Sequence, residues 1–133
     1  MIFIDANVFI RYFVSDDLSK SKKVEELFQK IVQGEIECFT SQIVIAEIVW
    51  VLDKFYNMDR QLICDNIEFV VNTPNLKVKE KNILLKAADI YRNSNIDFID
   101  AYNYSYILAN NADSIFSYDS HFDKLDSIER IEP

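Results

Sequence analysis

Glycine is nearly missing from this chain of 133 residues: Gly34 is the only one. Phosphate-binding loops of the P-loop or dinucleotide type need several glycines so that backbone N–H groups can approach the ligand. The scarcity of glycine argues against both of those large nucleotide-binding classes. Histidine is equally scarce, with His121 alone, so there is no His/Cys set for zinc, and His121 reads as a surface residue. Without a GxSxG-type nucleophile, Ser-His-Asp chemistry is not supported either. The two cysteines, Cys38 and Cys64, stand in no CxxC spacing and read as reduced packing residues. No apolar run approaches the roughly 18–20 residues that span a bilayer, and the first strand starts at Ile2, which leaves no room for a signal peptide. A cytoplasmic protein that is not in the membrane is expected. Cations are the minority, 14 Lys and Arg against 22 Asp and Glu, for a net charge of −8. Nucleic-acid binders usually carry a basic footprint. The acidic total counts against such a partner unless several carboxylates converge on divalent cations and turn the local potential positive.

What is present is a packed globule. Half the residues are hydrophobic and 14% are aromatic, and the length suits a single domain over residues 1–133. Short apolar strands are expected at Ile2–Asp5, Ile36–Phe39, Leu76–Val78, Ser114–Ser117 and Ile128–Ile131. Between them the periodicity predicts helices over Val8–Val14, Leu18–Gln33 and Gln42–Tyr56, one capped by Asp59 and running to Val71, then Lys81–Arg92 and Phe98–Asn110, and a helical turn at Ser120–Leu125. Strands alternating with helices imply a parallel sheet in an α/β fold.

Four acidic positions need explaining. Asp5 ends the apolar run Ile2 to Ile4, which reads as a fully buried strand, and open α/β sheets place ligand sites at such strand ends. Its simpler role is to cap the next helix, with Asn7 supporting the turn. Glu47 is the only charge between Gln42 and Leu52, in a helix apolar almost all round and so expected to be buried on most faces. There an unpaired carboxylate costs several kcal/mol, unless Glu47 lies on the helix's one wet stripe. Asp97 and Asp100 fall three apart in a first helical turn, where capping and the helix dipole account for one of them, Asp97 being the better N-cap. Asp119 follows Ser114-Ile115-Phe116-Ser117-Tyr118 and repeats the pattern of a strand that stops at a carboxylate; capping is again the simpler alternative. Four clustered carboxylates would repel and hold protons, whereas a hard divalent cation makes them a sensible ligand set.

Taken in order, these segments resemble the PIN-domain nucleases, and within them the VapC-type toxins of bacterial toxin–antitoxin pairs. The resemblance rests on Ile4-Asp5-Ala6-Asn7, on Ser41 through Ala46-Glu47, on Asp97-Phe98-Ile99-Asp100-Ala101, and on Ser117-Tyr118-Asp119 followed by Phe122 and Leu125. Each motif is weak singly, but four in order over nearly the whole chain are specific. The resemblance implies a PIN-like three-layer α/β/α fold with a short, mainly parallel central sheet. It also implies an endoribonuclease that hydrolyses RNA with Mg²⁺ or Mn²⁺, a homodimer and a cognate antitoxin. Asp5, Glu47, Asp100 and Asp119 would be catalytic and hold the metal, with Asp97 as a further ligand and Asn7 and Ser117 orienting from behind. The family often has Thr where this chain has Ser117, which keeps the hydroxyl. Arg11, Lys20, Lys22, Lys23, Lys54 and Arg92 are candidate RNA-backbone contacts. Phe9, Tyr12, Phe13, Trp50, Phe55 and Tyr56 are candidates for an antitoxin-facing surface, and Tyr102 and Tyr106 read as packing residues.

Two other readings compete. One is a non-catalytic dimerisation or RNA-assembly module of the same fold, whose acids act as caps; the filling of all four acidic positions speaks against it. The other is a small-molecule phosphatase with Asp5 as nucleophile, which usually shows DxD where this chain has Asn7.

Overall fold

Hydrogen bonding and apolar spacing build twelve short elements, seen in a computed structural model that describes residues 1–133. In order they are β1 (Ile2–Phe3), α1 (Ala6–Phe13), α2 (Leu18–Val32), β2 (Cys38–Thr40), α3 (Gln42–Lys54), α4 (Arg60–Asn72) and β3 (Leu76–Val78). They continue with α5 (Lys81–Asn93), α6 (Phe98–Ala109), β4 (Ser114–Phe116), a 3-10 turn (Ser120–Lys124) and β5 (Glu129–Ile131). No helix is long and apolar enough to cross a membrane. Two compact units result, Met1–Lys81 and Asn82–Pro133.

In the first unit β1, β2 and β3 form a parallel sheet in that order, with Ile2 opposite Cys38 and Cys38 opposite Leu76. Parallel strands need crossovers, and the helices between these strands supply them. Helix α2 starts where the Asp17 carboxylate accepts the Lys20 N–H at 3.1 Å. It ends at Gly34, whose φ of +79° is one that a side chain would strain. Asn75 Nδ2 then donates to the Ile31 carbonyl at 3.0 Å and the Val32 carbonyl at 3.3 Å, which ties the helix end to the chain before β3. Ser41 caps α3 by accepting the Val44 N–H at 3.2 Å. Phe9, Tyr12, Phe28 and Phe69 bind α1, α2 and α4 together, with Tyr12 and Phe28 centroids 4.8 Å apart and Tyr12 stacked on Phe69 at 5.1 Å.

The second unit pairs β4 with β5, also in parallel. Arg130 on β5 is its main polar tie. The guanidinium donates to both Asp123 oxygens at 2.8 and 3.2 Å, to Glu132 at 2.9 Å and to the Ser117 carbonyl at 3.0 Å. The Tyr104 hydroxyl on α6 donates to the Asp126 carbonyl, and Tyr91 meets Phe98 edge-on.

Element placement follows the sequence expectations closely, and every strand pairing is parallel. Two burial expectations fail. Ile4 is buried, but Ile2 and Phe3 are 59% and 46% exposed, because β1 has only two residues and lies at the edge of its three-stranded sheet. Helix α3 is not buried on most faces: Ile43 and Trp50 are 80% and 63% exposed. Its buried side is Val44, Ile45, Ile48, Val49 and Leu52, a stripe of ordinary width.

The Thr40 hydroxyl is buried and donates to the Ile4 carbonyl at 2.9 Å, joining the ends of β1 and β2. Thr40→Val keeps the shape and leaves that carbonyl without its donor. Urea unfolding should show a loss of roughly 1–3 kcal/mol with an unchanged denaturant slope.

Candidate active site

Two acids of the pattern, Asp5 and Glu47, lie in the first unit, with Asn7 beside the first. Asp5 stands where β1 ends and α1 begins, fixed from behind by the Thr40–Ile4 bond and by the Ile4 N–H donating to the Phe39 carbonyl at 2.9 Å. It has the extended backbone of an N-cap, yet its side chain makes no capping bond and is exposed. Capping therefore does not account for Asp5. Asn7, in the first turn of α1, is exposed as well. Glu47 is also exposed, on the outer face of α3 between Ile43 and Trp50. The expectation of a buried glutamate is corrected: Glu47 lies on the helix's wet stripe. What is unusual is that its neighbours on that stripe are large and apolar.

The second unit gathers the rest. Asp97 occupies the N-cap position of α6 without a side-chain capping bond, so it is not the cap it was expected to be. Asp100 sits in the first turn, its side chain 17% exposed. Asp119 does cap, accepting the His121 N–H at 2.9 Å through Oδ1, as its simpler reading held. Ser117 Oγ accepts the Asp119 N–H at 3.0 Å and so holds the loop that carries this carboxylate. Among the aromatics, Phe9 is fully buried and so cannot face a partner. Tyr102 and Tyr106 stack on each other at 6.1 Å.

His121 is the residue that sequence reasoning passed over. Its side chain is half exposed, as a surface residue's would be. Even so, Nδ1 lies 3.1 Å from Asp119 Oδ1 and 3.8 Å from Asp100 Oδ2. One donor atom from each of Asp100, Asp119 and His121 falls within 4.8 Å of the others. The available signal was local: His121 is two residues beyond an acid already suspected, in a tight turn.

Electrostatics set Asp100 apart. Burial raises its pKa, the Asp119 and Asp97 carboxylates raise it further by repulsion, and His121 opposes them. Such crowding of oxygen donors is what a divalent cation relieves, so Asp100, Asp119 and His121 fit a divalent metal, with Asp97 near enough to act on Asp100 by its charge.

The PIN domain family model matches residues 2–128, nearly the whole chain. This chain belongs to the PIN domain family. Membership carries the α/β class with short parallel sheets that the strands display. Among curated proteins, a VapC ribonuclease from Aquifex aeolicus (strain VF5) is similar, 26% identical over 88 residues. That match covers 66% of this chain and 65% of the relative, a little under two thirds of its length. The crystal structure of Mycobacterium tuberculosis VapC20, a sarcin-ricin loop cleaving toxin, aligns over the full length of both chains at 12% identity with a TM-score of 0.42.

Asp100 has a consequence for the metal-free PIN domain. A carboxyl whose folded-state pKa is raised imposes no penalty below its ordinary value of 3.8 and a full penalty above the raised value. Asp100→Asn should therefore melt at a higher temperature than wild type at neutral pH in EDTA. The gap should narrow as the pH falls towards 3.8, which thermal unfolding at stepped pH would record.

Proposed function

We propose that this PIN domain is a divalent-metal-dependent endoribonuclease, the toxin of a VapBC-type toxin–antitoxin pair acting in the cytoplasm. The observation that carries the reading is the grouping of Asp100, Asp119 and His121 beside Asp97, with the Asp100 pKa pushed up by burial and by its acidic neighbours. The crowding around Asp100 is what this reading explains and a purely structural role for these acids does not. Further support comes from Asp5 and Asp97, which stand at helix starts without performing the capping that would otherwise explain them.

In this reading residues 1–133 act as a single domain, and Asp5, Glu47, Asp97, Asp100 and Asp119 hold one or two Mg²⁺ or Mn²⁺ ions, directly or through water. His121 joins them on the side of Asp100 and Asp119. When bound, the metal supplies Lewis acidity, easing ionisation of a water and stabilising charge on the phosphate. The chain's own part is to aim the donors. Ser117 fixes the Asp119 loop, and Thr40 fixes the strand end from which Asp5 projects. Asn7, in the first turn of α1, orients what Asp5 holds. An imidazole beside carboxylates suits Mn²⁺ better than Mg²⁺, whose preference is for oxygen alone.

The substrate in this proposal is RNA, and the partners are an antitoxin and a second copy of the chain. The exposed Ile43, Trp50 and Phe55 around Glu47 offer apolar surface suited to an antitoxin segment that sends a basic side chain towards the carboxylate.

Purified protein incubated with total cellular RNA should cut it in Mg²⁺ or Mn²⁺ and not in EDTA. Asp5→Asn and Asp100→Asn should each lower the rate by at least about a hundredfold while remaining folded by circular dichroism. Wild-type cleavage in EDTA, or by either variant at the normal rate, would sink the proposal. In titration calorimetry Mn²⁺ should bind more tightly than Mg²⁺, and His121→Ala should shrink that preference; an unchanged ratio removes His121 from the ligand set.

A further inference from the structure

A cavity of about 350 Å³ opens between α1 and α2, lined by Asn7, Val8, Arg11, Lys20, Lys23 and Val24. It is within the size range of small-ligand sites, roughly 300–1,000 Å³. Three cations line it and no carboxylate does, in a chain where acids outnumber bases 22 to 14.

The cavity is held in shape by its own walls. Ser21 Oγ on α2 donates to the Arg11 carbonyl on α1 at 3.0 Å, which locks the two helices at this level. The Arg11 guanidinium is anchored by one nitrogen, Nη1, to Asp16 at 2.7 Å, and its remaining N–H groups stay available. Lys20 lies only at the limit of ion pairing with Asp17, at 4.0 Å, and Lys23 makes no ion pair. Neither lysine is neutralised by a tight partner. Asn7 adds an amide, and Val8 and Val24 an apolar floor.

The geometry points to a subsite for the sugar–phosphate backbone of single-stranded RNA: Arg11, Lys20 and Lys23 contact phosphate oxygens while Val8 and Val24 underlie a ribose. This rests on the ribonuclease reading and deepens it. Asn7 belongs both to the cavity and to the helical turn that Asp5 begins, so a strand held here is led towards the Asp5 carboxylate. A polyanion meets net repulsion from a protein of charge −8, and local cations must overcome that. Phosphate contacts position a strand without reading its bases, so this cavity fixes register along the strand and leaves sequence choice to other surfaces.

The test is binding of a labelled single-stranded RNA to the Asp100→Asn protein in EDTA, followed by fluorescence anisotropy over a range of salt. Each phosphate contact on a single strand contributes about 0.7 to the slope of log K against log salt. Adding Lys20→Gln and Lys23→Gln should weaken binding on the order of tenfold at low salt and flatten the slope by about 1.4. Lys30→Gln, on the same helix but outside the cavity, should change neither as much.

If wild type cuts RNA while the double lysine substitution leaves affinity and slope unchanged, the subsite is wrong and the ribonuclease reading stands. Loss of binding to an acidic peptide, with RNA binding intact, would overturn the subsite in favour of a protein partner. If wild type neither binds nor cuts RNA, both readings fall.

Discussion

A single buried hydroxyl decides where the first strand stops. Thr40 donates to the Ile4 carbonyl, and the Ile4 N–H donates to the Phe39 carbonyl, so the end of β1 is held to β2 by two bonds on consecutive residues. β2 in turn is paired with β3, with Thr40 opposite Val78. A side chain's period along a strand is two residues, so a slip of one would point Asp5 the other way. The position of this carboxylate is therefore a property of sheet register, set by Phe39 and Thr40 on the neighbouring strand. α1 begins at once after it, and its Phe9 enters the core with Phe28, so the helix cannot swing away from the strand end.

The second unit solves the same problem with charge. A short strand pair and one turn of 3-10 helix bury little apolar surface, since Phe122 and Ile128 are the only buried hydrophobics beyond α6. Arg130 supplies what packing does not, joining the 3-10 turn, the end of β4 and the last residues through four hydrogen bonds. Its anchor Asp123 is held below the usual carboxylate range by that bond. Asp100 is displaced in the opposite direction. One acid is satisfied by a fixed cation of the chain, and the other is left crowded among acids. That contrast separates a carboxylate paired within the fold from one crowded by its own kind, the kind of perturbed group on which a functional proposal can rest.

Elements were legible because local rules agree with each other here. Gly34, Asp17, Ser41 and the Thr73-Pro74-Asn75 turn punctuate a chain that otherwise keeps clean periodicity, and the observed helix and strand limits follow them. Burial was less legible. Ile2, Phe3, Ile43 and Trp50 are apolar, and composition cannot say which apolar faces a small protein leaves open. Glu47 was singled out for burial and is exposed, so the reason for noticing it does not hold. His121 escaped because its nearness to Asp100 is a tertiary fact, made by the packing of the 3-10 turn against α6. The lysines of α2 were visible as charges, but their meeting with Arg11 depends on how α1 and α2 cross.

Trp50 is the only tryptophan in the chain, and it lies 63% exposed one helical turn beyond Glu47, on the same face of α3. An indole in that setting is an intrinsic fluorophore with no competitor of its own kind. Its emission reports the polarity of one small patch, so whatever covers the outer face of α3 announces itself as a shift to shorter wavelength, without a label.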